Sequence, residues 1–161
     1  MKILGIDPGY ERLGIAILNK NKEDKKETLI YSECFKTSSK LDFNERLLMI
    51  GNRIKDILKQ YRPDILSIET LFLNTNQKTV MQVAEVRGII IYLAKEYDLK
   101  IFEASPPQIK SSITGYGKSD KEQIRKMVNL LIILPKEKNK SLDDELDAIA
   151  IALTAFANYK I

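Results

Sequence analysis

The sequence of 161 residues contains no histidine, and it has a single cysteine, Cys34. Without histidine, the chain lacks the most common general base, the most common zinc ligand and every serine–histidine or cysteine–histidine nucleophile pair. A lone cysteine also excludes an internal disulfide bond. Any catalysis must therefore depend on carboxylates, on lysines or on a bound metal ion.

Long apolar runs are missing as well. The longest ones, residues 88–94 and 130–134, are far shorter than the roughly 20 residues that a membrane helix requires. The apolar stretch at residues 3–6 has the length of a strand and not of a signal peptide. We therefore expect a soluble protein with no membrane partner and, given the lone cysteine, a cytoplasmic location.

The length suits one domain over residues 1–161. A domain of about 150 residues buries roughly two thirds of its unfolded surface, so its fold requires neither a disulfide bond nor a structural metal. The 26 lysine and arginine residues exceed the 22 acids, and the pI is about 9.0. This excess is compatible with an anionic partner such as nucleic acid but does not identify one.

Apolar periodicities and turn signals predict the order of helices and strands. Strands come first in a meander, with Pro8-Gly9 as the first turn, and then alternate with helices. This order is typical of a mixed α/β domain. The predicted strands cover 4–7, 14–18, 29–35, 65–69 and 99–103, and the predicted helices cover 42–61 and about 77–97 and begin near Pro106, Asp120 and Leu142.

The helix predicted from residue 77 is apolar on more than one face. Either it is enclosed within its own domain, or it also contacts a partner. In the second case we expect a position such as Ile90 to face outward. The apolar pattern leaves both possibilities open.

Two acids end predicted strands. Asp7 closes the first strand in GIDPG, and Glu69 closes ILSIE. Asp7 has an alternative role as a turn-capping residue before Pro-Gly. Glu69 has no turn role, and glutamate is depleted in strands. Together the two acids suggest one site at an edge of the sheet.

Two further acids belong to the last predicted helix, in SLDDELDAIAIAL. Ser141 followed by Asp144 fits a capping box, and acids suit a helix N-terminus. This explanation does not cover Asp147, which continues the stripe that packs toward the core. Because Asp144 and Asp147 are three residues apart, they project from the same side of the helix, with Cβ atoms about 5–6 Å apart.

Small residues in this helix would let it lie close to the sheet and bring its acids near Asp7 and Glu69. These are Ala148, Ala150, Ala152 and Ala155. Four carboxylates without histidine or cysteine favour Mg²⁺ or Mn²⁺ over zinc. Two such ions about 4 Å apart could activate a water molecule and stabilise the leaving oxygen of a phosphodiester. The site therefore indicates phosphoryl transfer.

Five motifs occur in a characteristic order: GIDPG, IETLF with Asn76 four residues after Phe72, EVRG, TGYGKSDK and DDELDAIAIAL. In order and spacing they resemble the RuvC family of Holliday junction resolvases over nearly the whole chain. The resemblance implies a ribonuclease H-like fold, with a five-stranded mixed sheet flanked by helices. It also implies a homodimer that nicks opposed strands of four-way DNA junctions, about two Mg²⁺ ions per subunit and a branch-migration motor as partner. The apolar helix would then lie at the dimer interface.

The resemblance also assigns roles to individual residues. The family pattern of an acid, two residues and Asp-Ala favours Asp144 over Asp143 as a ligand, although some members have histidine at that position. Phe72 matches an aromatic residue that approaches bases at the junction centre, whereas from the residues alone it could equally be a core side chain. The implied catalytic and metal-binding residues are Asp7, Glu69, Asp144 and Asp147, and the implied DNA-binding residues are Phe72, Asn76, Lys110, Lys118 and Lys121.

Three other functions share some of these features. A ribonuclease H-like nuclease acting on another nucleic acid would have the same acids. A sugar-kinase or actin-like ATPase has a similar GIDPG hairpin but requires two domains around a nucleotide cleft. A non-catalytic junction-binding module would not require all four acids.

Overall fold

The computed structural model describes residues 1–71, 77–133 and 143–159, without the side chains of residues 77 and 78. None of the helices in these ranges has the length and apolar character needed to cross a membrane. The strands are β1 (Lys2–Asp7), β2 (Arg12–Asn19), β3 (Glu27–Lys36), β4 (Ile65–Glu69), β5 (Lys100–Ala104) and β6 (Ile132–Ile133), and the helices are α1 (Phe43–Tyr61), α2 (Gln77–Glu96), α3 (Pro106–Thr114), α4 (Lys121–Leu131) and α5 (Asp143–Asn158).

The strands form one mixed sheet in the order β5-β4-β1-β2-β3-β6. The expected hairpin is present, since β2 pairs antiparallel with both β1 and β3, while β4 pairs parallel with β1 and β5. The expected α/β class is confirmed, but the described sheet has six strands and not five. The additional strand, β6, is two residues long and pairs parallel with the start of β3. A strand of this length is too short to produce the alternating pattern by which the others were predicted.

The sheet carries an apolar core on each face. Side chains of a strand point to alternate faces, so Leu4 and Ile6 of β1 pack with α1 and α2, whereas Ile3 packs with the core that contains α5. All three are fully buried. This double burial explains why the first strand is apolar at consecutive positions up to Asp7.

Helix α5 lies directly on the centre of the sheet and is buried along most of its length. Gly5 of β1 is a point of close contact, because a Cβ atom there would lie 2.2 Å from the Ala148 carbonyl oxygen and 2.8 Å from the Ala152 Cβ. The Ser67 hydroxyl of β4 donates a buried hydrogen bond of 2.6 Å to the Ile151 carbonyl oxygen. The small residues of α5 therefore allow the close approach that the sequence predicted.

Helix α2 is buried on one side only. Ile90, which we expected to face outward, is fully buried together with Val86 in the core between the sheet and α1. The sequence could not show which part of an apolar circumference meets the sheet. Met81 and Tyr92 are the large apolar residues that α2 exposes, each to 66%.

Candidate active site

The first two acids are placed by neighbouring parallel strands. Asp7 is the last residue of β1 and Glu69 is the last residue of β4. The two strands pair in register up to Ile6 and Ile68. Because the carboxyl ends of parallel strands meet at the same edge of a sheet, the two side chains enter one site there, as the sequence predicted.

The other two acids reach this edge from the first turns of α5. The helix comes so close to the sheet that a Cβ atom on Gly14 of β2 would lie 2.2 Å from the Asp144 carbonyl oxygen and 3.1 Å from the Asp7 Cβ. Gly14 is also the register partner of Asp7. Asp147 follows one turn after Asp144, with its side chain 34% exposed. Glycine at position 14 is therefore a condition for bringing the α5 acids to the strand ends.

Mutual repulsion marks Asp7 as the centre of the group. Burial, followed by the charges of Asp147, Glu69 and Asp144, raises the pKa of Asp7 to about 7, against a smaller opposing effect of Lys121. Each of these acids is thus close enough to disfavour the ionised form of Asp7. The site has an excess of negative charge that its own lysines do not remove.

Glu69 and Asp147 show the same tendency. Burial and the charge of Asp147 raise the pKa of Glu69, while Lys110 lowers it. Burial likewise raises the pKa of Asp147, against the opposing effect of Lys121, whose Nζ lies 3.7 Å from the Asp147 Oδ2. With Asp7 these residues form a set that we call the inner acids: Asp7, Glu69 and Asp147.

Asp144 behaves differently. Burial would raise its pKa, but hydrogen bonds from Cys34 and Arg12 and the charge of Arg12 outweigh this effect, and the pKa is lowered. The Arg12 guanidinium forms an ion pair with the Asp144 Oδ2, and the Cys34 thiol donates to the same oxygen over 3.2 Å. Asp144 is therefore a stabilised carboxylate at the outer side of the group.

Comparison with known proteins identifies the family that this arrangement belongs to. The family described as "Crossover junction endodeoxyribonuclease RuvC" matches residues 3–155. The chain belongs to the RuvC family. Members of that name from Thermosipho melanesiensis and Caldanaerobacter subterraneus are 42% and 39% identical to it over 152 and 153 residues. These alignments cover 94% and 95% of this chain and 94% and 90% of the relatives.

Solved RuvC structures have the same fold. The Thermus thermophilus RuvC structure is 28% identical, with a TM-score of 0.85 over 96% of this chain and 92% of that one. The structure of T. thermophilus RuvC in complex with Holliday junction substrate is 30% identical, with a TM-score of 0.87 over 98% and 94% of the two chains. The expected resemblance is confirmed, and the ATPase alternative is set aside.

RuvC enzymes are nucleases that depend on divalent metal ions, and the inner acids fit this requirement. Oxygen donors without histidine or cysteine suit a hard cation, and such a cation would relieve the repulsion that raises the pKa of Asp7. Within the described ranges, no three acidic, cysteine or histidine side chains are already arranged as a metal shell. The carboxyl groups would therefore have to come closer together to bind an ion.

Two of the three lysines that the RuvC resemblance assigns to DNA, Lys110 and Lys121, lie beside the inner acids. Lys110 of α3 lines a small concavity together with Glu69 and Asp147. Lys121 begins α4 and is 72% exposed. Lys118 is exposed in the turn between these two helices. A positive border thus adjoins the acids, which is where a phosphate backbone would pass.

A cavity of about 380 Å³ adjoins the strand ends at Asp7 and Glu69. Its wall includes Thr70 and Val83, and the buried Thr70 hydroxyl has no hydrogen-bond partner in the described part of the chain. The space could accept part of a nucleotide beside the acids. Phe72 and Asn76, which RuvC resemblance also assigns to DNA, lie outside the described residues.

Sequence reasoning missed Arg12 and Cys34. Each looks unremarkable alone, as a hairpin arginine and a half-buried cysteine. A signal was nevertheless present in the strand register, because Gly14 pairs with both Asp7 and Cys34. Correct pairing of the three strands would have placed Cys34 beside the acids, while the direction of the Arg12 side chain required the structure.

Proposed function

We propose that this chain is a single RuvC-like nuclease domain that resolves four-way Holliday junctions by nicking opposed strands during recombination and repair. The observation that carries the proposal is the convergence of Asp7, Glu69, Asp144 and Asp147 at one sheet edge in a member of the RuvC family. A related structure, that of T. thermophilus RuvC, is described as a complex with Holliday junction substrate. Branched DNA is therefore the first substrate to test.

The four acids would hold Mg²⁺, with about two ions per subunit and Mn²⁺ as a substitute. A divalent cation bound there supplies positive charge for attack by water on the phosphodiester and for departure of the leaving oxygen. The water oxygen bonds to phosphorus and loses a proton to solvent, while the bond to the 3′ oxygen breaks and that oxygen takes up a proton. The products carry a 5′-phosphate and a 3′-hydroxyl.

The protein's own contribution is to position and neutralise the phosphate backbone. Lys121 and Lys110 lie beside the inner acids and offset part of their charge, so a phosphate that enters meets cations as well as carboxylates. Lys118 extends this border. Phe72, which would stack on a base, and Asn76 complete the proposed DNA contacts, and stacking of one base on an aromatic ring contributes about 1–3 kcal/mol.

We further propose a homodimer formed through the outer side of α2. The exposed positions Met81, Ala84, Gly88 and Tyr92 recur at helical spacing, and the glycine permits close approach. A two-fold pair of sites would match two opposed strands of a junction. Tyr92→Glu should give monomers with intact acids that resolve junctions poorly. The control Lys22→Glu, in the exposed turn between β2 and β3, should leave the dimer intact in sedimentation. A monomeric wild-type protein that cuts both strands in one binding event would contradict this mechanism.

Two other parts of the proposal concern the cell. Resolution requires a junction that has been moved to a suitable position, so a branch-migration motor complex is the expected protein partner. A cytoplasmic location follows from the proposed work on chromosomal DNA.

The decisive experiment incubates the purified protein with a four-way junction and with linear duplex of the same sequence, with and without Mg²⁺. We expect paired nicks in the junction only, and only with the ion. Asp7→Asn serves as the inactive control. Equal cutting of the duplex would indicate a nuclease of different substrate range, and junction binding without any metal-dependent cutting would indicate a binding module.

A further inference from the structure

The guanidinium of Arg12 lies between solvent and the candidate active site. Arg12 begins β2, directly after the turn that follows Asp7. Its side chain is 50% exposed, while that of its ion-pair partner Asp144 is 22% exposed. One side of the guanidinium is therefore bound to a proposed metal ligand, and the other is open to an arriving anion.

Two donors from adjacent strands converge on one oxygen of Asp144. Arg12 of β2 and Cys34 of β3 both contact the Oδ2. The inner acids have no comparable arrangement: in the described part of the chain neither Asp7 nor Glu69 forms an ion pair, and Lys121 lies 3.7 Å from Asp147. Among the described residues, Asp144 therefore has the closest cationic partner of the four acids, and the ion pair of Asp147 with Lys121 is longer, at 3.7 Å.

We infer that Arg12 is a positioning residue that holds Asp144 in the DNA-free protein and exchanges it for a backbone phosphate of the substrate. The inference rests on the proposed function, because it requires Asp144 to act as a metal ligand. An arginine fork binds phosphate at least as well as it binds carboxylate, so the two anions compete for the same donors. Arrival of DNA then releases the Asp144 oxygen toward the metal.

In the exchange, the guanidinium and the carboxylate each gain a new partner of opposite charge. The phosphate replaces the carboxylate at the guanidinium, and the released carboxylate would then be available to hold a divalent cation. Cys34 keeps a weak hydrogen bond to Asp144 during the exchange, since a thiol is a poor donor that does not compete with a metal ion. The ligand set is thereby completed where substrate is present.

The first test measures the Mn²⁺ affinity of the DNA-free protein by electron paramagnetic resonance. We expect Arg12→Gln to bind Mn²⁺ about tenfold more tightly than the wild type, because an opposite charge in contact shifts such equilibria by one or more powers of ten. In an Asp144→Asn background the same substitution should have little effect. The matched control is Arg125→Gln, which removes the arginine paired with the neighbouring acid Asp143 at 2.5 Å and should leave Mn²⁺ affinity unchanged.

The second test measures junction affinity against salt concentration in EDTA, where no cutting occurs. Asp144→Asn should bind the junction several-fold more tightly, because Arg12 is then free for phosphate. Arg12→Gln should remove that gain and lower the salt slope by about 0.9, the value for one phosphate contact. Glu11→Gln removes an exposed carboxylate next to Arg12 in the sequence and leaves the contact between Arg12 and Asp144 in place. A gain of equal size in that variant would assign the effect to general electrostatics and contradict the exchange.

The outcomes separate the inference from the proposed function. If Asp144→Asn leaves Mn²⁺ affinity unchanged, Asp144 is not a ligand and the assignment under the proposed function fails. If Asp144→Asn weakens Mn²⁺ binding but Arg12→Gln alters neither Mn²⁺ affinity nor the salt slope, only the exchange fails. Arg12→Gln should melt near the temperature of the wild type, since the Arg12 side chain is half exposed. Arg12→Lys tests whether the charge suffices without the planar guanidinium.

Discussion

The inner acids and Asp144 share one proposed task but occupy opposite electrostatic environments. Burial and mutual repulsion raise the pKa values of Asp7, Glu69 and Asp147. At Asp144, the donors Arg12 and Cys34 lower the pKa. The inner acids therefore oppose the folded state at neutral pH until a cation binds, whereas Asp144 contributes to its stability.

This difference shows how a protein can assemble a highly charged site without losing its fold. Only the negative charge of the inner acids is left largely uncompensated. These acids lie where the ends of β1 and β4 meet the start of α5. The negative charge of Asp144 is balanced by the half-exposed guanidinium of Arg12. Substitutions at the inner acids and at Asp144 should therefore change the unfolding free energy in opposite directions, although we expect both to abolish cleavage.

The largest expected effect is on cleavage. Asp7→Asn, Glu69→Gln, Asp144→Asn and Asp147→Asn should each reduce junction cleavage by orders of magnitude, because each removes a proposed metal ligand. Junction binding should persist in all four variants, because none of them removes a phosphate-contacting lysine, and in Asp144→Asn it should also tighten, because Arg12 is released. Single-turnover cleavage and gel-shift assays measure the two quantities. Asp143→Asn is the control, and normal cutting by Asp144→Asn together with an inactive Asp143→Asn would show that the register of the last motif is wrong.

The next effect concerns stability against pH in the metal-free protein. The folded-state pKa of Asp7 is about 7, above its unfolded value of 3.8, so its contribution to stability is full below pH 4 and is lost as the pH rises through 7. Asp7→Asn should therefore raise the unfolding free energy at pH 8 by on the order of 4 kcal/mol, at about 1.4 kcal/mol per pKa unit. Little difference should remain near pH 4.

The same measurement on Asp144→Asn should give the opposite sign. Its pKa is lowered in the folded state, so its contribution to stability is present above the unfolded pKa and is lost as the pH falls through the folded value. The variant should be less stable than the wild type at pH 8, and the two should converge in acid. Urea unfolding in EDTA at both pH values checks the pair. Equal signs for Asp7→Asn and Asp144→Asn would refute the distinction between inner and outer acids.

A smaller effect is expected where α5 meets the sheet beside both groups. A methyl group on Gly14 would lie 2.2 Å from the Asp144 carbonyl oxygen, so Gly14→Ala should force α5 outward and destabilise the protein by about 1–3 kcal/mol. Gly51→Ala in helix α1 is the matched control, because the added Cβ would contact only the Ile89 side chain of α2, at 3.5 Å. It should stabilise the protein by up to about 1 kcal/mol. Thermal unfolding of both variants measures the two effects, and a Gly14→Ala variant as stable as Gly51→Ala would contradict the close contact of α5 with β2.

The smallest effect concerns Lys121, which opposes the repulsion among the inner acids. Lys121→Gln should weaken junction binding a few-fold and lower its salt slope by about 1, as loss of one phosphate contact does. Lys126→Gln, also 72% exposed on α4 but paired with Glu122, should change neither. Equal losses for the two variants would mean that Lys121 acts only through overall charge.

The strand-end acids could be predicted because their positions follow from local pattern. An acid that ends an apolar strand, such as Asp7 or Glu69, has few structural explanations, and parallel pairing of β1 and β4 places both at one edge. The spacing of Asp144 and Asp147 fixes their common side as soon as the helix is recognised. The order of the five motifs predicted membership of the RuvC family, which the family match over residues 3–155 confirms.

The parts that escaped prediction depend on side-chain direction or on long-range pairing. Ile90 belongs to an apolar circumference, and only packing against α1 and the sheet decides that it points inward. Strand β6 has two residues and owes its pairing to the position of α4. Arg12 carries a long side chain whose partner lies 132 residues away, so no local signal could connect it with Asp144.

The hydrogen bond from Ser67 to the Ile151 carbonyl oxygen has a mechanical consequence. Together with the contact at Gly5, it prevents α5 from sliding along the sheet, since a shift by one residue would leave a buried hydroxyl and a buried carbonyl without partners. The base of the site, formed by α5 on the sheet, therefore resists displacement, and the nucleic acid has to change shape to fit it. Elastic deformation of a continuous duplex by 40–90° costs about 1–6 kcal/mol, whereas a branch point is already bent. A rigid sheet and helix at the base of the site can thus distinguish DNA shapes by the energy needed to bend each of them, without contacts that identify a base.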